Sequence, residues 1–417
     1  MGGKNFGTEA RRFTTAEHDA MFALARERTG HFFTSMKTYP PLTSKATHGD
    51  IDILAGWAGL GWAPPKGREG GVVEGADPFD ATLTTVTLSS DSADVRRWCN
   101  AIAAAVGATE WQRSGGCLST RFPASALYAA VPSLASPHDA ADFFQVDFML
   151  FPPEGVEFAS FGYSYGSALM LLAPLLRQGT GVHGLVLHAH CLIFRHSPFP
   201  GLRPVDTHLS HDAAALCKYI GLDHATWLRG DFDTMADVYA WLSTAEEGSI
   251  TAKALRRIAR KGIDRDGRKT SHHKGRYDLY TDFIQYLQAS AWAPSAEERA
   301  ELEARAAAAE AERGEREPTP ARELDPDNPT PLTPAEVDAL EYWGAKGAYA
   351  ALVAELEPEA RLLHSRQNKP RGTVKFPPKR GPRAVVAAVD ASGAGVSAER
   401  VAADTATAPA AVVAEVA

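Results

Sequence analysis

The run Ser44-Lys45-Ala46-Thr47-His48-Gly49-Asp50-Ile51-Asp52-Ile53-Leu54 sets two carboxylates two residues apart in an apolar stretch. Like charges so close repel, and something must offset the repulsion. In an extended strand residues i and i+2 share a face. Asp50 and Asp52 therefore aim together while Ile51 and Ile53 turn to the core. Two carboxylates on one face make a hard-oxygen site of the kind Mg²⁺ or Mn²⁺ takes, with water and phosphate oxygens filling the other positions. Gly49 ahead of the pair admits close backbone approach. A third acid, Asp147, stands inside the apolar run Phe143–Phe151, read as FFQVDFMLF. An unpaired charge there is strongly unfavourable. A metal shared with Asp50 and Asp52 relieves it, or else a salt bridge to a buried arginine such as Arg121. Three carboxylates on neighbouring strands are the parts needed to hold two metal ions for an in-line displacement at phosphorus.

Other patterns compete with this one. Gly162-Tyr163-Ser164-Tyr165-Gly166 matches the Gly-x-Ser-x-Gly nucleophile elbow, with Asp206 or Asp212 and His224 downstream as nominal partners. A serine hydrolase using Ser164 is the weaker enzymatic alternative, because it leaves the aspartates unexplained. In GVHGLVLHAH, His188 and His190, near His183, share a strand face and suit a transition metal. No acidic third ligand is near them in sequence, which favours a half-exposed strand with ordinary polar partners. Residues 256–276 are strongly basic against a net charge of −8. They suit a polyanionic acceptor or triphosphate, or equally a solvated helix face and turn paired with Asp264 and Asp266. His272-His273 falls in that turn and reads as solvated.

The elements that must position the aspartates follow from the spacing of apolar residues. Residues 15–28 have helical spacing and a Thr cap, and 32–39 and 49–57 read as strands. Residues 56–80 are a Gly- and Pro-rich loop. Residues 91–106 form a helix with Val95, Trp98, Ile102 and Val106 on one face. Strands are expected at 117–122 and 143–151, the latter stopped by Pro152-Pro153, with a short helix at 124–131 between them. This alternation favours a mixed or parallel sheet with helices packed on it. From Tyr163 onward helices dominate, at 167–177 (kinked or ended early by Pro174), 211–220, 236–244, 250–261 and 280–292. Residues 185–194 are a strand or hairpin arm. Residues 295–313 form a charged, Ala-rich helix and 314–331 a Pro- and acid-rich linker. One or two further helices are expected over 333–363, with Leu340, Tyr342 and Trp343 available for docking. Beyond Arg366 the chain is basic and then Ala/Val-rich, and is expected to be disordered.

Composition bounds the class. At 417 residues, 45% of them apolar, the chain is long enough for two domains and a tail. The acidic balance excludes generic nucleic-acid coating. Cys99, Cys117, Cys191 and Cys217 form no C-x-x-C pair and are expected as buried thiols in a reducing compartment, not as a cysteine zinc site. No secretory h-region is visible, and no apolar run reaches membrane-spanning length. An intracellular, cytoplasmic protein without membrane partners is expected, with PPKRGPR at 377–383 as a candidate nuclear signal.

Taken together, Gly49-Asp50-Ile51-Asp52-Ile53-Leu54 and Gln145-Val146-Asp147-Phe148 resemble the DNA polymerase β-like nucleotidyltransferase superfamily. More narrowly, the chain looks like the nucleotidyltransferase-like proteins of fungi and some large viruses and phages. Those carry an SK-x-x-HGDIDIL stretch, a QVDF strand and a helical domain. Ile220-Gly221-Leu222-Asp223, Trp227 and Phe232-Asp233-Thr234 extend the likeness, which covers residues 30–292 and not the tail. The resemblance implies transfer of a nucleoside monophosphate from a nucleoside triphosphate to an acceptor hydroxyl, with two Mg²⁺ or Mn²⁺ ions. Asp50 and Asp52 would bind metal. Asp147 would bind the second metal and help deprotonate the acceptor. The acceptor is open between an RNA end, a protein side chain, and an antibiotic or other small molecule.

Two departures from the family pattern stand out. The Gly-Ser or Gly-Gly turn that grips the triphosphate is missing from residues 38–41, so Ser44 and Lys45, with Gly49 beside them, are the expected substitutes. Relatives often carry an acidic or amide residue where this chain has Ser164-Tyr165-Gly166-Ser167. The missing turn also supports a non-enzymatic alternative, in which the fold persists as an inactive binding module. The expected architecture is α/β: a polymerase β-like nucleotidyltransferase core (a mixed sheet with packed helices) over 1–160, a mainly helical domain over 161–292, and charged helices, linker and disordered tail over 293–417. The active cleft is expected between the first two.

Overall fold

The apolar run around Asp147 becomes the central strand of a six-stranded mixed sheet. The computed structural model describes residues 5–57, 68–73, 93–134, 137, 139, 141–261, 274–313 and 329–367. Its first domain runs β1 (Phe13–Thr14), α1 (Thr15–Thr29), β2 (Ser35–Lys37), β3 (Thr47–His48), β4 (Ile51–Gly56) and β5 (Arg68–Val72). It continues through α2 (Ala93–Val106), β6 (Glu110–Ser114), β7 (Cys117–Pro123), α3 (Ala124–Ala130) and β8 (Phe143–Phe151). The strand order is β2-β4-β8-β7-β6-β5, and β1 pairs with β3 in a separate ribbon. β4 and β8 run parallel, and the other neighbours are antiparallel. β8 is flanked on both edges and nearly all buried, which is why it reads as a continuous apolar run.

Helices fill one face of this sheet. α1 starts at a capping box: the Thr14 hydroxyl accepts from the Glu17 amide while the Glu17 carboxylate accepts from the Thr14 amide. Val95, Trp98, Ile102 and Val106 of α2 are buried as their spacing requires. Trp98 stacks on Trp57 with ring centroids 4.4 Å apart. On the other face, Leu54 and Phe151 pack with Val156 and Ala159.

The second domain comprises α4 (Val156–Ser167), α5 (Leu169–Thr180), β9 (Leu185–Leu187), β10 (Leu192–His196), β11 (Val205–Ser210), α6 (Ala213–Ile220), α7 (His224–Arg229) and α8 (Met235–Leu242). α9 (Ile250–Lys261), α10 (Lys274–Gln288), α11 (Ala296–Arg313), α12 (Pro334–Tyr342) and α13 (Lys346–Gln367) follow. It is mainly helical but contains an antiparallel sheet in the order β11-β10-β9, of which one arm was expected. α5 is not ended early by Pro174: it runs on to Thr180 with the ring in its interior, where the Met170 carbonyl loses its intrahelical donor. α5 and α9 cross at backbone contact: a Cβ added to Gly179 would lie 2.1 Å from the Ile250 carbonyl oxygen.

The boundaries differ from those expected. α4 serves both cores, since Phe158, Phe161 and Tyr165 belong to the second while Val156 and Ala159 face the first. The division at 160 therefore falls inside a shared helix. Leu340, Tyr349, Leu352, Leu356 and Ala360 join the second core, so that core extends well past residue 292. Within the expected 56–80 loop, residues 68–72 pair with β6, a strand the sequence pattern did not show. The expected strand at 32–39 shortens to Ser35–Lys37 behind a 3₁₀ turn at Gly30–Phe32. The rest of that loop, the basic turn with His272-His273, most of the linker, and the tail with residues 377–383 lie outside the described residues. No single helix among the described residues is long and apolar enough to cross a membrane.

Candidate active site

Parallel pairing of β4 with β8 sets Asp52 directly opposite Asp147, and β7 sets Ser119 opposite Asp147 on the other side. Asp50 lies in the bend just ahead of β4, not within the strand. One carboxylate oxygen from each of Asp50, Asp52 and Asp147 falls within 4.8 Å of the others. Asp147 is buried, and Asp50 and Asp52 are half-buried. The fold thus brings Asp147 of β8 to the pair Asp50 and Asp52, which lie almost a hundred residues earlier in the sequence at the start of β4.

A ring of donors holds them. The Tyr39 hydroxyl donates to Asp52 Oδ2 at 2.5 Å. Gln145 Nε2 donates to both oxygens of Asp147 at 3.0 Å, and the Ser119 hydroxyl bonds to the same carboxylate. Asn5 locks this layer: its amide donates to Gln145 Oε1 at 3.2 Å and its Nδ2 to Ser119 Oγ at 2.8 Å. With Gln145 Oε1 occupied, its amide nitrogen must face Asp147. Arg121 pairs with Glu110 at 2.9 Å and so is not the partner of Asp147.

The electrostatics are those of crowded negative charge. Burial pushes Asp52 up to about 6, with Asp50 adding to it and the Tyr39 bond and Lys45 opposing. Burial pushes Asp147 up to about 7, with Asp52 adding to it. Burial and Asp52 also push the Tyr39 phenol up, so it remains a donor. The Cys117 thiol beside Asp147 is pushed up by burial and by that carboxylate.

The expected triphosphate grip divides. The Ser44 hydroxyl donates to the Asp233 carbonyl at 2.6 Å, and Thr43 Oγ1 donates to Asp233 Oδ1 at 2.6 Å. Ser44 therefore fastens the two domains together, and its hydroxyl proton is directed away from any phosphate. Lys45 is exposed and its charge reaches Asp52. Gly49 is buried in the bend that carries Asp50.

Other candidates resolve differently. Ser164 follows a helix, not a strand, is buried, and donates its hydroxyl to the Ser160 carbonyl at 2.5 Å. The Gly-x-Ser-x-Gly run is the break between α4 and α5, made by Tyr165 (φ 51°, ψ 50°) and Gly166 (φ 76°). Its nominal partners are engaged elsewhere: Asp206 pairs with Arg195 and Asp212 caps α6. The hydrolase reading lacks its strand-to-helix elbow. His188 and His190 lie in the turn between β9 and β10 and not along one strand face. In the described part of the basic stretch, Arg256 pairs with Glu247 and Arg260 with Glu298, as a solvated helix face does.

A cavity of about 560 Å³ opens at the domain junction, lined by Thr38, Pro40, Phe161, Tyr165, His211 and Trp227 among others. The aspartates do not line it. Tyr39 stands between the two features, bonded to Asp52 while its chain neighbours line the cavity. Of the residues around the site, Gln145 had a legible signal, sharing a face with Asp147 at i and i+2. Tyr39, Ser119 and Asn5 had none, being brought in by tertiary contacts. No protein-family model matches the chain, and no curated protein does either.

Proposed function

We propose that the protein is a metal-dependent nucleotidyltransferase that moves a nucleoside monophosphate from a nucleoside triphosphate to an acceptor hydroxyl. The observation that carries this is the in-register pair Asp52 and Asp147, with Asp50 alongside, all three acids converging within 4.8 Å. The donor set is hard oxygen throughout, which fits Mg²⁺ or Mn²⁺ and disfavours softer metals. Burial raises the affinity of Asp52 and Asp147 for any positive charge, proton or metal. When bound, two such ions supply charge neutralisation at phosphorus and acidify the acceptor hydroxyl.

The chain's own residues do the rest. Asp147, oriented by Gln145 and Ser119, takes the proton of the acceptor hydroxyl. The acceptor oxygen bonds to the α-phosphorus, the bond to the bridging oxygen breaks, and pyrophosphate leaves. Lys45, exposed beside the aspartates, offers its charge to the leaving pyrophosphate. Tyr39 fixes the orientation of Asp52.

The test is thermal unfolding with each of the four nucleoside triphosphates, with and without Mg²⁺ or Mn²⁺, beside Asp50→Asn. A ligand that binds only the folded state raises the melting temperature. A metal-dependent rise with one nucleotide, lost in the variant, is expected and names the donor. A rise without nucleotide turnover in labelled-transfer assays would favour the inactive binding module. No rise with any nucleotide refutes the reading.

A further inference from the structure

We propose that Cys191, His208 and His211 form a transition-metal site, for Zn²⁺, separate from the aspartates. One donor atom from each lies within 4.8 Å of the other two. They come from separate places in the chain. Cys191 closes the turn between β9 and β10, where the His188 amide donates to its carbonyl at 2.9 Å. His208 stands on β11 and His211 in the link from β11 to α6. The β10–β11 ladder shifts register between Leu192 and Ile193, so that Leu192 faces Ser210 and Ile193 faces His208. Bulges re-aim side chains in this way beside functional sites.

The surroundings suit a metal. His211 Nδ1 lies 3.0 Å from the His190 carbonyl oxygen. A carbonyl only accepts, so Nδ1 carries the proton and Nε2 presents its lone pair. That is the tautomer-fixing support which metal-bound histidines have. Cys191 and His208 are buried at 0% and 5% exposure. The rings of His208 and His211 sit with centroids 4.0 Å apart.

Donor chemistry narrows the ion. One sulfur and two imidazoles suit Zn²⁺, as they also suit copper, and reject Mg²⁺. Tetrahedral zinc with ordinary bond lengths sets such donors about 3.4–3.6 Å apart. Binding breaks the Cys191 S–H bond, releases its proton to solvent and forms a zinc–sulfur bond. His211 also lines the junction cavity, through which an ion can reach this ligand. The ion would pin the β9–β10 turn to the start of α6.

The experiment is Co²⁺ titration of the metal-stripped full-length chain, read by absorbance, with zinc content measured after dialysis. Expected are one metal per chain, a near-ultraviolet thiolate-to-cobalt band, and displacement of Co²⁺ by Zn²⁺. Cys191→Ser should abolish that band. His211→Gln should weaken binding by more than about tenfold, since changes behind the ligands alone already cost that much. Asp50→Asn should change none of this, which separates the site from the aspartates. Circular dichroism shows whether each variant folds, and the wild-type band decides the question if Cys191→Ser does not. No thiolate band in the wild type, a band that survives in folded Cys191→Ser, or a stoichiometry well below one overturns the proposal.

Discussion

Replacing Asp147 by Asn should stabilise the metal-free protein at alkaline pH and not at acid pH. The carboxyl rises from its ordinary 3.8 to about 7 because it is buried and faces Asp52. Between those values the folded state keeps a proton that the unfolded chain has released. Stability must therefore fall as pH rises through this window and level off above it. At about 1.4 kcal/mol per decade, the full penalty above pH 7 is on the order of 4 kcal/mol. The amide avoids that penalty but opposes one of the Gln145 N–H groups, at a cost of about 1–2 kcal/mol. The net gain in EDTA is on the order of 2–3 kcal/mol at about pH 8 and near zero at about pH 5. Urea unfolding followed by the fluorescence of buried Trp57 and Trp98 reads it directly. Saturating Mg²⁺ should reverse the order by stabilising the wild type more than the variant. An Asp147→Asn protein less stable than wild type at alkaline pH, or a difference independent of pH, refutes stored repulsion at this site.

Tyr39→Phe removes the donor that holds Asp52 down, so Asp52 should titrate above its present value of about 6, as NMR of its carboxyl carbon would show. The same change should cost about 1.5–3 kcal/mol where Asp52 is ionised and less where it is protonated. Gly179→Ala drives a methyl into the Ile250 carbonyl oxygen and should destabilise the α5–α9 packing by about 1–3 kcal/mol, measured by thermal unfolding. Ser164→Ala should cost about 0.5–1.5 kcal/mol from its lost bond to Ser160 and leave any nucleotidyl transfer intact. Ester hydrolysis that disappears with this variant would restore the elbow reading.

The aspartates were legible because their chemistry is out of place locally: two acids at i and i+2 beside isoleucines, and one acid inside FFQVDFMLF. What brings Asp52 opposite Asp147 is parallel pairing, a long-range register that no local pattern encodes. Ser44 misled for a related reason. Its hydroxyl is spent on Asp233, a contact across the domain junction. β6, EWQRS, shows no apolar alternation because Glu110 and Gln112 sit half-exposed while one of the two residues turned inward, Arg113, is charged. Gly115, with φ 59°, marks the hairpin that joins it to β7. α12 and α13 looked like an appendage because their apolar face is sparse, yet Leu340, Leu352 and Leu356 seat in the second core. The Cys191 cluster has no C-x-x-C spacing to mark it, because its partners arrive by way of the β10–β11 ladder.

The segment from Tyr39 to Ser44 also governs how the molecule moves. Tyr39 touches Asp52, the Pro40 carbonyl accepts from the Tyr165 amide, and Thr43 and Ser44 bond to Phe232 and Asp233. Five of these hydrogen bonds cross between the domains: one at Pro40, two at Thr43 and two at Ser44. At about 1 kcal/mol each, parting the domains costs on the order of 5 kcal/mol, which leaves about one molecule in several thousand open at any moment. The cavity at the domain junction is thus of nearly fixed width, and whatever enters it must fit an aperture set in advance and not one that opens to receive it.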